Sequence, residues 1–490
     1  MIDCLNNFLW GKVLVIILIA VGIIFTVASR FVQFRYIKQM LAILSLSNQG
    51  DGEHLSSLQA LILSVAGRVG AGNIAGVAVA ITLGGPGAIF WMWIVGLIGM
   101  ATSFFECTLA QLFKRMNPDG TYRGGPAYYI RHGLGQWWLS AFFSGLLLIT
   151  FGLGFTALQS YTVAESLNDT FGIPAHISGL ALMAVMAVTI FGGVKRIAEV
   201  AEWVVPIMAV GYFAIAFIII LTHWSSIPAL LWLICKSAFG LEPAIGGGLG
   251  AAMIFGIKRG LASNEAGLGS APNVAAVAHV SHPVNQGIVQ SFSIFIDTIV
   301  LCSCTAAIIL LSSVYQPGET LVGGVTLTQA AMAEHVGSWG SAFVTISLVL
   351  FAFTSIIYNY YLGENSLNFF SENNNLLFNG FRIATLGLIF WGTAQDLSTV
   401  FGFADITMGL LALVNLVVLV ALFPVTMEVI QDYDTQLKQG KAEPIFDQRQ
   451  FMELNLDAEA WAWHKVAPSQ SADLQEGQAA DLLGSQLMLE

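Results

Sequence analysis

Gly67-Arg68-Val69-Gly70-Ala71-Gly72-Asn73-Ile74-Ala75-Gly76 lies inside a long apolar run from Leu58 to Leu83. Three glycines, Gly67, Gly70 and Gly72, fall within six residues. Each weakens a helix by about 1 kcal/mol relative to alanine. Together they leave backbone amides and carbonyls that lipid cannot satisfy. Irregular backbone at membrane depth is tolerated only where it faces protein or a polar cavity. The stretch therefore reads as a broken membrane helix whose gap holds a ligand. The competing reading is a small-residue packing face, which the spacing of Gly72 and Gly76 also fits.

The composition supports a membrane setting. Of 490 residues, 56% are hydrophobic and only 10% charged, against about 25% charged in soluble domains. The chain reads as one polytopic, all-α membrane domain over 1–428 and a polar tail over 429–490. The net charge of −11 says little about partners, because acidic residues gather in loops and in the tail. No basic run suits nucleic acid. Cys4, Cys107, Cys235, Cys302 and Cys304 form no CxxC pair and read as structural thiols. His132, His279 and His282 read as loop histidines. There is no metal-ligand spacing, no Ser-His-Asp or HExxH constellation and no GxxxxGK[ST] motif, so neither an enzyme nor a primary pump is expected, and no cofactor.

Apolar runs of spanning length fall near 8–29, 58–83, 88–112, 137–160, 175–193, 203–222, 242–257, 287–313, 341–363, 380–395 and 404–425, eleven in all. The first ends in Arg30, Arg35 and Lys38, which favour the cytoplasm, so it reads as an uncleaved helix with its N-terminus outside. On that topology 16 of the 19 basic residues are predicted to be cytoplasmic, Lys258 and Arg259 among them. The outer loops carry Glu165, Asp169, Glu319, Glu334 and Asp396. Setting the first helix aside leaves two sets of five, 58–222 and 242–425. Five is odd, so the second set enters the membrane inverted. Each set opens on a glycine cluster, the second being Gly246-Gly247-Gly248-Leu249-Gly250. Paired interrupted helices at matching positions point to a transporter. Ile227 to Phe239 reads as an outer amphipathic helix across the mouth, and Ser263 to Gly287 as an ordered cytoplasmic segment. The tail from Gln431 lacks a periodic core and is expected to be peripheral.

Gly70-Ala71-Gly72-Asn73-Ile74-Ala75-Gly76-Val77-Ala78, Gly84-Gly85-Pro86-Gly87-Ala88-Ile89-Phe90-Trp91-Met92-Trp93 and Arg259-Gly260-Leu261-Ala262-Ser263-Asn264-Glu265-Ala266-Gly267-Leu268-Gly269-Ser270-Ala271-Pro272 resemble the alanine or glycine:cation symporter family. Gly124-Gly125-Pro126-Ala127-Tyr128-Tyr129 and Asp297-Thr298 also match. The resemblance runs over about 8–450. Ala66-Gly67-Arg68-Val69-Gly70 and Pro444-Ile445-Phe446-Asp447 look most like the proteobacterial D-alanine/glycine permease branch. The family implies one extra helix before the inverted-repeat fold of the bacterial leucine transporter. It implies sodium-coupled uptake of glycine and L- or D-alanine across a bacterial inner membrane, by a chain working as a monomer in the lipid bilayer. Proton coupling and a channel are the alternatives. Arg68 and Ala71 stand where many members carry Thr, and Tyr358-Asn359 where they often carry Gly-Trp.

A zwitterion needs donors for its carboxylate, acceptors for its ammonium and a wall for its side chain. Gly70, Ala71, Gly72 and Asn73, opening the second half-helix, offer amides and a positive dipole end. Carbonyls of Ala66 and Gly67 suit a hard cation such as sodium. Met253 and Phe255 are candidates for the wall, with ordinary packing as the other reading. The resemblance adds the hydroxyls of Thr354 and Ser355 as cation ligands, against back-bonding to their own helix. It adds Gln159 facing the site, against a plain interhelical bond. Arg68, Glu106, Glu202 and Asp297 are ionisable groups in or beside spans, where unpaired charge is costly. Arg68 is expected either to pair with Asp297, with Glu202 second, or to stand in for a cation. Asn264 and Glu265 are expected to gate or brace the cytoplasmic side.

Overall fold

The structure is a computed structural model of the chain. It describes residues 6, 8–46, 55–118, 120–191, 194–240, 248–316, 323–371 and 374–461, with backbone alone at 12, 46 and 194–205. Gly246, Gly247, Cys4, Glu319 and the side chain of Glu202 lie outside the described residues.

Helices account for nearly all of the fold. A first helix, α1, runs through a π-helical turn, Leu9–Leu14, into Val15–Ala28. There follow α2 (Ser57–Arg68), α3 (Gly72–Gly84), α4 (Gly87–Leu112), α5 (Pro126–Gly133), α6 (Trp137–Phe171), α7 (Ala175–Ile190), α8 (Val194–Thr222) and α9 (Ile227–Ala238). The second half holds α10 (Gly248–Asn264), α11 (Ala271–Val277), α12 (Pro283–Leu310), α13 (Val325–Val336), α14 (Trp339–Phe370), α15 (Asn375–Thr393), α16 (Leu397–Ala421) and α17 (Phe423–Lys438). The one two-stranded ribbon among the described residues pairs Arg115–Met116 with Tyr122–Arg123. Six helices are long and apolar enough to cross a membrane, or eight if each of two sharply bent pairs counts as one span. The chain is an all-α, multi-pass membrane protein.

Local sequence sets the helix ends. Ser56 and Gln59 close a capping box at the start of α2, satisfying two amides that the first turn leaves open. Gly85, at φ 73°, makes the tight turn between α3 and α4, a conformation open to glycine without penalty. The α4 helix runs through the interior, packed against α10 and α12. Small residues permit the approach: a Cβ on Gly256 or Gly260 would come within 2.4 Å of α4.

Two interruptions define the interior. The first separates α2 from α3, which meet at a bend of 55°. The second lies between α10 and α11, where Glu265, Gly267 and Gly269 all take positive φ and every residue from Ser263 to Ala276 is buried. The sequence expectation of a break at Gly246–Gly250 falls partly on Gly246 and Gly247, which lie outside the described residues. From Gly248 the helix is continuous to Asn264, and the interruption follows it in the segment read as ordered and cytoplasmic.

Two further readings are refined. Lys258 and Arg259, placed just past a span ending at 257, lie within α10, both bound to Asp405 of α16, with Lys258 Nζ at 2.6 Å. The shared carboxylate offsets part of the cost of burying the two cations. From Gln431 to Trp461 the chain is also not peripheral, and the rest of the tail lies outside the described residues. Phe446 and Trp461 are fully buried. The Trp461 indole donates to the carbonyl of Leu112 at 3.2 Å, and Phe446 N–H to that of Ser281 at 2.9 Å. His282 caps α12 and contacts Asp432 at 3.1 Å, while His279 meets the Tyr122 hydroxyl at 3.1 Å. These histidines organise the loop end of the molecule. The Ile227–Ala238 helix buries Leu230, Ile234 and Ala238 on one face, as an amphipathic element should.

Candidate functional site

The first interruption is held open by side chains from two other helices. Between Arg68 and Gly72 the backbone leaves the helical ladder, so its polar groups need other partners. The Gln159 carbonyl oxygen on α6 accepts from the amide of Ala71 at 2.9 Å. The Asn73 side chain accepts from the amide of Gly70 at 3.0 Å. On α14, Thr354 donates to the carbonyl of Ala66 at 3.1 Å, and Ser355 to that of Val69 at 3.1 Å. Thr354 is also 2.9 Å from the carbonyl of Phe351 in its own helix. A hydroxyl has one proton, so the helix bond and the bond across to Ala66 alternate.

The expected residues thus separate by role. Thr354 and Ser355 meet the carbonyls at the end of α2, as the sequence reading placed them, but the second carbonyl belongs to Val69. Gly67 instead receives an aromatic face: a Cβ there would lie 2.4 Å from the Tyr358 ring. Asn73 caps the gap with its side-chain carbonyl oxygen and points its amide away from it. Its amide donates to Asp297 Oδ1 at 2.7 Å and lies 3.1 Å from Ser263 Oγ.

A cavity adjoins the interruption. Gly67, Arg68, Gly72, Gly76 and Ala262 line it on the α2–α3 and α10 sides, with Gln159 and Glu265 as polar walls. Phe155, Leu158, Phe401 and Arg259 complete it. Met253 and Phe255 are not in this lining. Phe255 packs by Gly84 at the far end of α3, because α10 faces the gap with Ala262 and Ser263 instead. Phe155, Ser263, Phe401 and Asp405 were given no role in the sequence reading of the site, and Tyr358 entered it only as a departure from the family pattern. Only the position of Phe155 one turn before Gln159, and of Ser263 beside Asn264, could have signalled them.

Three buried carboxylates surround the second interruption. Asp297 accepts from Asn73, from Ser263 at 2.7 Å and from Thr298 at 2.8 Å. Glu106 accepts from Gly267 N–H at 3.1 Å and the Asn415 amide at 3.0 Å. Glu265 accepts from Ser270 at 2.5 Å. Asn264 accepts from the amide of Ala266 at 3.0 Å, bracing the same turn.

Arg68 is 2% exposed. It does not pair with Asp297, contrary to the expectation. Its guanidinium bonds the hydroxyls of Ser293 and Ser103, and among the described residues no carboxylate lies within ion-pair distance of it. The three acids feel its charge at longer range. Its Nε–H has no partner among the described residues and is buried beside the cavity.

Comparison with known proteins places this arrangement. The probable sodium/glutamine symporter GlnT of Bacillus subtilis is 45% identical over 443 residues, 90% of this chain and 91% of that one. The amino-acid carrier protein AlsT of the same organism is 43% identical, covering 94% of this chain and 97% of its own. A sodium/proton-dependent alanine carrier protein of Bacillus sp. strain PS3 is 39% identical, covering 80% and 91%. The model of the sodium:alanine symporter family matches residues 1–448, and with its helix interruptions and the hydroxyls facing them, this chain belongs to that family of transporters.

Proposed function

We propose that this protein carries small neutral amino acids, glycine and L- or D-alanine, into the cell together with sodium by alternating access. The observation that carries the reading is the pairing of Thr354 and Ser355 with the carbonyls of Ala66 and Val69. Four hard oxygens from two helices meet at one interruption, the donor chemistry a sodium ion prefers. Ion entry would replace two hydroxyl hydrogen bonds with oxygen–cation contacts and fix α2 against α14. Ala71 and Gly72, next to the Gln159 amide, supply the substrate carboxylate site beside it. The floor of Gly72, Gly76 and Ala262 favours a short side chain, and Phe155, Leu158 and Phe401 supply apolar cover.

Eleven spans, α1 followed by two inverted sets of five, accommodate both interruptions at matching places, α2–α3 and α10–α11. The N-terminus is outside and the tail inside, in a bacterial inner membrane. The chain works as a monomer with sodium and an amino acid as its ligands and no cofactor. Over 1–428 it forms one transport domain.

A second reading, glutamine as substrate, is favoured by one observation: Arg68, Gln159 and Glu265 give the cavity a polar end, and a relative bears the name of a sodium/glutamine symporter. Uptake of labelled glycine into proteoliposomes, with sodium and pH gradients imposed separately, tests the main reading. Uptake should require the inward sodium gradient and be blocked by alanine but not leucine. Uptake that follows the pH gradient without sodium would overturn it, and block by glutamine would favour the second substrate.

A further inference from the structure

His223 follows the last turn of α8, and His335 lies in the last turn of α13. Their rings approach to 5.1 Å between centroids with planes at 75°. Two imidazoles bound to one tetrahedral metal place their centroids roughly 5 Å apart, given metal–nitrogen bonds of about 2.0–2.1 Å.

The hydrogen bonds of the two rings settle which nitrogens carry protons. His223 Nδ1 is 2.9 Å from the carbonyl of Ile219. His335 Nε2 is 2.9 Å from the carbonyl of Ile308. A carbonyl only accepts, so each of these nitrogens is the protonated one in the neutral ring. That leaves lone pairs on His223 Nε2 and His335 Nδ1, and no hydrogen bond among the described residues engages either. Metal-binding histidines are oriented in this way, with the second nitrogen donating to a backbone carbonyl. Both residues are half-buried, so an ion from solution can reach them. No group of three or more His, Cys, Asp or Glu side chains is gathered among the described residues, and the neighbouring Glu334 is engaged by Ser313 at 3.0 Å. Water would complete the coordination.

We propose that His223 and His335 form a two-imidazole site for a zinc-class dication, which clamps the end of α8 to α13. Imidazole ligands suit zinc, nickel and copper. The clamp has a path to the transport site. Thr328 of α13 donates to the carbonyl of Ile74, within the first turn of α3, at 3.3 Å. Holding α13 therefore restrains the half-helix that moves beside the gap, and bound metal slows uptake. This second part rests on the transport reading above, and the metal site does not.

The test uses the full chain, purified through an affinity tag that contains no histidine. Calorimetric titration with zinc chloride should give one equivalent bound. His223→Gln and His335→Gln keep a hydrogen-bonding side chain and should melt as the parent does without zinc, but bind it at least about tenfold more weakly. In proteoliposomes zinc should slow sodium-driven uptake by the parent, chelator should restore it, and both variants should be insensitive. Parental zinc affinity in either variant overturns the site. Binding lost in the variants, with no slowing of parental uptake, overturns the clamp. Absence of sodium-driven uptake in the parent sinks the transport reading instead, and the titration still decides the site.

Discussion

The side-chain amide of Asn73 lies 2.7 Å from the carboxylate of Asp297, joining the opening turn of α3 to the middle of α12. Ser263, the last residue but one of α10, donates to the same carboxylate at 2.7 Å. Asp297 therefore ties both interrupted helices together, and the guanidinium of Arg68 is left to two serines.

Double substitution should reveal that tie. Asn73→Ala strands one carboxylate oxygen, Asp297→Ala leaves the amide only its longer bonds to Ser263 and a backbone carbonyl, and the pair removed together leaves neither loss. Groups in one network show coupling of about 0.5–3 kcal/mol. Melting temperatures in detergent should show the double variant recovering part of the summed loss. The Arg68→Ala and Asp297→Ala pair should couple more weakly, for want of a direct bond. Equal coupling in both pairs would return Arg68 to the role of direct partner.

Glycine substitutions at the gap should rank by what a Cβ meets. At Gly67 it would lie 2.4 Å from the Tyr358 ring, and at Gly70 2.6 Å from Gln159 Nε2 and Ser355 Oγ. At Gly72 the nearest atom is 3.4 Å away. Overpacking costs about 1–3 kcal/mol, so Gly67→Ala and Gly70→Ala should lose both stability and uptake, and Gly72→Ala should keep most of each. A Gly72→Ala variant worse than Gly70→Ala would place the substrate against Gly72 more tightly than the backbone suggests.

The hydroxyls of Thr354 and Ser355 should matter to sodium more than to the amino acid. Thr354→Ala with Ser355→Ala removes two of the four proposed oxygens. A loss of 1.4 kcal/mol is tenfold in affinity, so half-maximal uptake should need on the order of tenfold more sodium. An unchanged sodium curve would leave both hydroxyls as caps for the carbonyls of Ala66 and Val69.

The first interruption could be read from sequence because glycines there coincide with Asn73, whose side chain stabilises irregular backbone. The second could not be read from glycine counts. Gly256 and Gly260 are small because α10 presses on α4, whereas Gly267 and Gly269 are needed for positive φ, and sequence does not separate these uses. Gln159, Thr354 and Ser355 were found through family resemblance, and each does face the gap. The expected partner of Arg68 failed because serines, which carry no charge signal, take its hydrogen bonds. Lys258 and Arg259 read as lying past the end of a span because Asp405, the acid that binds both, is far along the chain. Docking of the tail was hidden because it rests on single aromatics, Phe446 and Trp461, without a periodic pattern.

Stability should rise with pH because of Lys114, two residues past the end of α4. Its ammonium is fully buried between the Tyr122 and Trp461 rings, 4.1 and 4.4 Å from their centroids. The carbonyl of Ala278 is 3.5 Å away, and no ion pair with an acid is made among the described residues. Loss of hydration lowers its pKa to about 7, from about 10.4 when unfolded. Below pH 7 both states hold the proton and the folded state bears the whole cost of burying a charge. Between pH 7 and about 10.4 the unfolded state holds a proton that the folded state has released, so stability climbs with pH. Lys114→Met removes the titration. Its melting temperature should exceed the parent's most at pH 6, and the gap should narrow steadily to pH 9. Trp461→Ala, which admits water to the amine, should flatten the parent's pH slope. If Lys114→Met instead loses most at pH 6, attraction of the cation to the two rings outweighs its lost hydration, and the tail is held by charge.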